Sequence, residues 1–224
     1  QTLQLEKQQQ VLLPLPNVVT VHPYPKDSGK VRPPELTATS AAILDADSGV
    51  LLYGKNVNLK IKPASTVKMM TALTALDYYD PQQILTSKTL DKEGAQMGLK
   101  IGEKVTVKNL LYGLLLNSGS DAALALADNY NGGIVQFLSA MGERLKKMNI
   151  KSTHFTNIVG YDEENNYTTS KDLVQIARFV LQNPLLKKIE STKEIVVTDV
   201  PVTRWYPLKN INELMNLLKV KNRR

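Results

Sequence analysis

The order of hydrophobic patterns along the chain predicts a domain of the α/β or α+β class. Two short apolar runs rich in strand formers come first, a long stretch with helical periodicity follows, and β-branched residues return near the end. With 224 residues, 42% of them apolar, the chain is long enough to bury a sizeable core. No apolar run approaches the roughly 18 residues needed to cross a bilayer, the longest being "LLYGLLL". Strands at both ends around a helical middle suggest one domain in which the two strand regions share a sheet.

Residues 1–36 hold six of the eleven prolines together with "KQQQ", a composition of extended, solvated chain, and are read as a linker. The folded domain is expected to occupy 37–224. It opens with "TATSAAILDADSGVLLYGKN", two apolar runs about a turn at "DADSG", which predicts a β-hairpin. "STVKMMTALTALDYY" then predicts a helix with Met69, Leu73 and Leu76 on one stripe. "TVKNLLYGLLLNS" and "SDAALALADNY" predict two helices meeting at a corner, with Gly119 in a left-handed conformation and Ser120 capping the second helix. "GIVQFLSAMGERLKKMN" is a further helix, and "TSKDLVQIARFVLQNP" another, with a capping box from Thr169 and Asp172 and a stop before Pro184. "KEIVVTDVPVTRW" returns to strand.

Composition removes several chemistries. There is no cysteine, so disulfides, thiolate nucleophiles and cysteine-bound zinc are excluded. The two histidines, His22 and His154, stand apart and outside any H-E-x-x-H pattern, so neither a metal nor another cofactor is expected. The net charge of +7 owes more than half its value to Lys219, Lys221, Arg223 and Arg224 in the tail "KVKNRR", and the sparse aromatics are not interleaved with basic residues. No nucleic-acid partner is therefore expected, whereas attraction to an anionic membrane or cell envelope is compatible with the charge. Because the first residue is Gln, a leader or anchor removed upstream is also expected.

The stretch "KPASTVKMMTAL" carries the first candidate chemistry. Ser65 and Lys68 are three residues apart where a helix begins, so their side chains can meet, and Pro63 suits the first turn. A serine near a helix N-terminus has unpaired N–H groups and the helix dipole at hand to stabilise developing negative charge. Lysine acts as a base only when burial or a neighbouring cation keeps it neutral. The motif alone is weak, since 11 serines and 22 lysines among 224 residues give about one S-x-x-K by chance, and a cap serine beside a solvated lysine explains it equally well. "LLLNSGSDAALALAD" is the second candidate, where a helical corner would hold Ser118 rigidly on a short loop.

Taken together, "PASTVKMMTAL", "QMGLKIGEKVTVKNLLYGLLLNSGSDAALALAD" and "THFTNIVGYDEENNYTTSKDLVQIARFVL" resemble the D-alanyl-D-alanine carboxypeptidases among the low-molecular-mass penicillin-binding proteins, over about Ala38 to Met215. The resemblance implies a penicillin-binding-protein/β-lactamase-like fold: a helical cluster on an antiparallel sheet, with the site between them. It implies a serine-type D-Ala-D-Ala carboxypeptidase acting on peptidoglycan stem peptides outside the cytoplasmic membrane and inhibited by β-lactams. By position, Ser65 would be the nucleophile, Lys68 the general base, Ser118 a proton relay and Ser120 a substrate-binding group.

Two departures accompany the resemblance. The second motif of the family is usually Ser-x-Asn, whereas this chain has Ser118, Gly119 and Ser120, a hydroxyl replacing a longer amide. The third, Lys-Thr-Gly on a central strand, binds substrate carboxylate and completes the oxyanion hole, and it occurs nowhere in the 224 residues; Lys221, the nearest candidate, is followed by Asn222 and Arg223. A lost oxyanion donor typically costs on the order of a hundred- to a thousandfold in rate. An N-terminal part of a longer enzyme, or a shortened member of impaired activity, is expected, with an incomplete sheet that leaves the early hairpin unpaired at its edges. A class A β-lactamase fits less well, lacking E-x-x-L-N and having Ala122 where Ser-Asp-Asn would place Asn. A noncatalytic envelope protein that binds peptidoglycan or a partner is the rival from another class.

Overall fold

The computed structural model describes residues 24–26, 29, 32–91 and 93–217. Most of the expected linker, with His22, and the tail residues Lys219, Lys221, Arg223 and Arg224 lie outside them. The fold is α+β. Its strands are β1 (Ala41–Leu44), β2 (Leu51–Lys55), β3 (Ile84–Thr86), β4 (Lys104–Thr106), β5 (Glu194–Thr198) and β6 (Trp205–Lys209). Its helices are α1 (Val67–Tyr78), α2 (Val107–Leu116), α3 (Ser120–Asp128), α4 (Gly133–Lys147), α5 (Ser170–Gln182), α6 (Pro184–Glu190) and α7 (Leu214–Leu217).

Helix α1 lies at the centre, packed by α2, α3, α4 and α5. The expected single stripe of Met69, Leu73 and Leu76 is corrected: Val67, Met70, Ala72, Leu73 and Ala75 are all buried, while Met69 and Leu76 are only partly so. A helix enclosed by neighbours has no solvent face to keep polar, so its apolar residues need not follow one stripe. This burial carries Lys68 into the interior with the core residues on either side of it.

The hairpin β1–β2 is antiparallel, closed by Asp45, whose carboxylate accepts N–H and O–H from Ser48, with Gly49 at a φ of +76°. Arg178 of α5 donates to the carbonyls of Ala46 and Asp47, fastening the turn to the helix. Helix α5 starts as expected, Thr169 Oγ1 accepting the Asp172 N–H. The Asp172 carboxylate turns to Ser152 N–H and Thr153 O–H, so half the capping box serves a tertiary tie. Pro184 starts α6: Asn183 caps the N–H groups of Leu185 and Leu186, and proline suits a first turn.

The strand regions do not share a sheet. Among the described residues β1–β2, β3–β4 and β5–β6 are three separate two-stranded antiparallel pairs. Each rests on helices instead, β1 on α5 and β5–β6 on α2. Among the described residues both outer edges of β1–β2 are free of ladder partners, and Ile43, Leu51 and Leu52 are exposed on this hairpin. Strand β6 passes beside the α2–α3 corner, where Lys209 N–H donates to Asn117 Oδ1 and Ile211 N–H to the Leu116 carbonyl. A sheet thus flanks one side of that corner and α1 the other.

Candidate active site

Pro63 leads into a 3-10 turn, Ala64–Thr66, that continues as α1, which sets Ser65 at the helix entrance. Ser65 is exposed, whereas Lys68, one turn on, is only 4% exposed. Its Nζ lies 3.3 Å from Ser65 Oγ and 3.2 Å from Ser118 Oγ. An amine taken out of water loses hydration of its charged form, and burial brings the Lys68 ammonium down to about pKa 8, against the opposing fields of Asp91 and Asp121. About a tenth of the amine is therefore neutral at pH ~7 and about half at pH ~8, the form a base requires.

The corner holding Ser118 is built differently from the expectation. Ser118 itself takes the left-handed conformation, with φ +55°, and Gly119 is extended at φ −64°, ψ +114°. Gly119 precedes the helix and Ser120 is its first residue, not its cap. The glycine is needed for space: a Cβ there would stand 2.9 Å from the Gly113 carbonyl oxygen and 3.0 Å from Asp121 Oδ1. A non-glycine residue in left-handed backbone carries strain, and Ala64 beside Ser65 does likewise at φ +47°.

Ser120 is buried, and its Oγ faces Gly94 on the segment between β3 and β4. That segment is fixed by Asp121, a buried carboxylate accepting the N–H groups of Met97, Gly98, Leu99 and Ala122 at 2.8–2.9 Å. Gly160 closes the other side. With φ +99° it lies so near the turn that holds Ser65 that a Cβ would come within 1.9 Å of the Ala64 oxygen and 2.8 Å of Ser65 N. Asn157 shapes this loop, its Oδ1 accepting from the N–H groups of Val159, Gly160 and Tyr161.

The structure thus brings Ser65, Lys68 and Ser118 together and sets Ser120 behind them. Sequence reasoning missed Asp91, Asp121, Asn157, Gly160 and Tyr161. "TNIVG", an asparagine three residues before a glycine, carried a local turn signal. No signal in the chain pointed Asp91 or Asp121 at Lys68. A groove of about 790 Å³ runs past the corner, lined by Ala95, Gln96, Asn117, Lys209, Asn210, Ile211 and Glu213. Among the described residues no cluster of histidine and carboxylate side chains could hold a metal, and no helix is long and apolar enough to cross a membrane.

Comparison with known proteins finds relatives over most of the chain. The D-alanyl-D-alanine carboxypeptidase DacF of Bacillus subtilis is 32% identical over 201 residues, covering 86% of this chain and 51% of its own length. DacB2 of Mycobacterium tuberculosis, also a D-alanyl-D-alanine carboxypeptidase, is 35% identical over 80% of this chain and 66% of its own. The chain therefore spans about half to two thirds of the length of these curated relatives. Among solved structures, the Streptomyces K15 DD-transpeptidase superposes with a TM-score of 0.78 at 29% identity, over 84% of this chain and 79% of that one. The family model described as D-alanyl-D-alanine carboxypeptidase, peptidase family S11, matches residues 27–222, and the chain belongs to that family.

Proposed function

We propose that this chain is the catalytic part, 37–224, of a serine-type D-Ala-D-Ala carboxypeptidase that acts on peptidoglycan stem peptides outside the cytoplasmic membrane. The observation that carries the reading is the buried Lys68 amine lying between the Ser65 and Ser118 hydroxyls. Neutral Lys68 takes the Ser65 proton as Oγ attacks the carbonyl joining the two terminal D-alanines. The Ser65 N–H, at the entrance to α1, faces the developing oxyanion. The Lys68 ammonium then returns its proton through Ser118 to the departing amine, the C–N bond breaks, and an ester remains on Ser65. Water attacks the ester with Lys68 again as base and releases the shortened peptide. No cofactor enters these steps.

A β-lactam ring opens by the same attack and leaves the same kind of ester, which makes penicillin a direct probe. The chain has no Lys-Thr-Gly, so slow acylation is expected. Intact-protein mass spectrometry after incubation with benzylpenicillin tests the reading. The wild type gains one penicilloyl group, mapped to the Ser65 peptide, and Ser65→Ala gains none; equal modification of both rules out the assignment. On the rival reading, a noncatalytic envelope-binding protein, neither chain would be modified.

A further inference from the structure

Between β3 and β4, Asp91 and the residues 93–99 are fastened to the rest of the protein at three places. At its far end Asp121 gathers the N–H groups of Met97, Gly98 and Leu99, and in its middle the Ala95 carbonyl accepts the Ser120 N–H at 2.7 Å. The near end depends on Tyr161. Its hydroxyl donates to the Asp91 carboxylate, with the Glu93 carbonyl oxygen 3.0 Å from the same phenolic oxygen. The Asp91 carboxylate also accepts the Glu93 N–H, and Gln96 Nε2 donates back to the Glu93 carbonyl. Gly94, at φ +72°, sits where the two hydroxyls meet: a Cβ there would be 3.1 Å from Ser120 Oγ and 3.7 Å from Tyr161 Oη.

These ties bear on the site from two directions. Tyr161 follows Gly160, whose backbone lies against Ala64 and Ser65, so the tyrosine is anchored to the turn that holds Ser65. The segment it holds supplies Ala95 and Gln96 to the lining of the groove, together with Asn117, Lys209, Ile211 and Glu213. Amide groups from Gln96 and Asn117, one cation at Lys209 and one carboxylate at Glu213 make a polar lining that suits the amides and charged ends of an extended peptide. Burial, and then the bond to Asp91, push the Tyr161 phenol up to about 12, so it remains a donor throughout the working range.

We propose that Tyr161 is a positioning residue for the acyl donor: by bridging Asp91 and Glu93 against Ser120, its hydroxyl holds the Gly94–Gln96 wall of the groove in the shape that receives the peptide. The proposal rests on the reading of Ser65 as the acylated nucleophile. Among the described residues the Tyr161 hydroxyl bonds to Asp91 and Glu93 and not to Ser65, Lys68 or Ser118, so its loss weakens capture of a peptide more than it slows the chemistry. Removing one hydrogen bond to a charged group corresponds to about a tenfold change in binding.

The test compares wild type, Tyr161→Phe, Asp91→Asn and the double variant. Competition of an N-acetylated tripeptide ending in D-Ala-D-Ala against a fluorescent penicillin measures capture, and the limiting labelling rate measures chemistry. Each single variant should need about tenfold more peptide for half-competition while its limiting rate, read at about pH 10 where Lys68 is neutral with or without the Asp91 charge, stays within about threefold, and the double variant should be no worse than either single one, because the two groups act as a unit. Amides of Ala95 and Gln96 should exchange with solvent faster in Tyr161→Phe. Unchanged competition, or rate and competition falling together with amide exchange unchanged, overturns the Tyr161 assignment while intact Ser65 labelling leaves the proposed function standing. Absence of wild-type labelling removes the proposed function itself and the donor role of Tyr161 with it.

Discussion

Lys68 Nζ stands almost equidistant between two hydroxyls, 3.3 Å from Ser65 Oγ and 3.2 Å from Ser118 Oγ, although Ser65 lies in the 3-10 turn that leads into the Lys68 helix and Ser118 arrives from the α2–α3 corner. On the proposed function that one amine takes a proton from the first and hands it to the second, a role that suits a group whose burial lowers its pKa to about 8.

Acylation should follow the neutral fraction of Lys68. With its pKa brought down to about 8, the rate of penicillin labelling rises with pH, flattens above about 8, and falls about tenfold per unit well below it. Labelling rates measured from pH 5.5 to 10 check this. A profile still rising at pH 10 means that burial does not tune the amine.

The same burial costs stability. An amine whose folded pKa lies near 8 and whose unfolded value is 10.5 binds fewer protons folded than unfolded between those two limits, so wild-type stability rises with pH across that window. Lys68→Met removes the titration and keeps an apolar stem in the core. The variant should unfold at higher denaturant at pH 7, by about 1–3 kcal/mol, with the advantage shrinking toward pH 10, while labelling disappears. Equal denaturation midpoints at both pH values would speak against a desolvated amine.

Gly160→Ala places a methyl group where the Ala64 carbonyl already lies and forces an alanine to φ +99°. Backbone cannot yield as a flexible side chain does. Loss of about 3 kcal/mol or more, together with loss of labelling, is expected in denaturant titrations and penicillin assays. A Gly160→Ala protein labelled at the wild-type rate would mean that the 157–161 loop does not set the position of Ser65.

The buried Asp121 carboxylate receives N–H donors on both oxygens, whereas an asparagine amide offers only one acceptor oxygen. Asp121→Asn should lose about 2–4 kcal/mol. Because the Asp121 charge raises the Lys68 pKa, the pH profile of any remaining labelling should move to lower pH.

Local chemistry was legible in the sequence and tertiary placement was not. Ser65 and Lys68 meet because three residues along a helix face is a local relation, and Thr169 caps α5 for a similarly local reason. The strain at the corner fell on Ser118 although Gly119 is the residue free to take it, because contacts with Gly113 and Asp121 fixed the glycine for its size. Asp91 finds Tyr161 across 70 positions and Asp121 finds Met97 across 24, distances over which no periodicity carries information. The β-branched run at 194–198 predicted a strand, but which strand it would join depends on helices α2 and α5, and the two hairpins settled on different ones.

The central claim is a desolvated, neutral amine at position 68, and direct titration of its Nζ by nuclear magnetic resonance, with Lys68→Met to assign the signal, measures it most directly. The account predicts a transition near pH 8 in the folded protein, moving to about 10.5 on unfolding. A folded-state transition already at 10.5 would contradict it, leaving Ser65 beside a permanently charged neighbour that cannot take its proton.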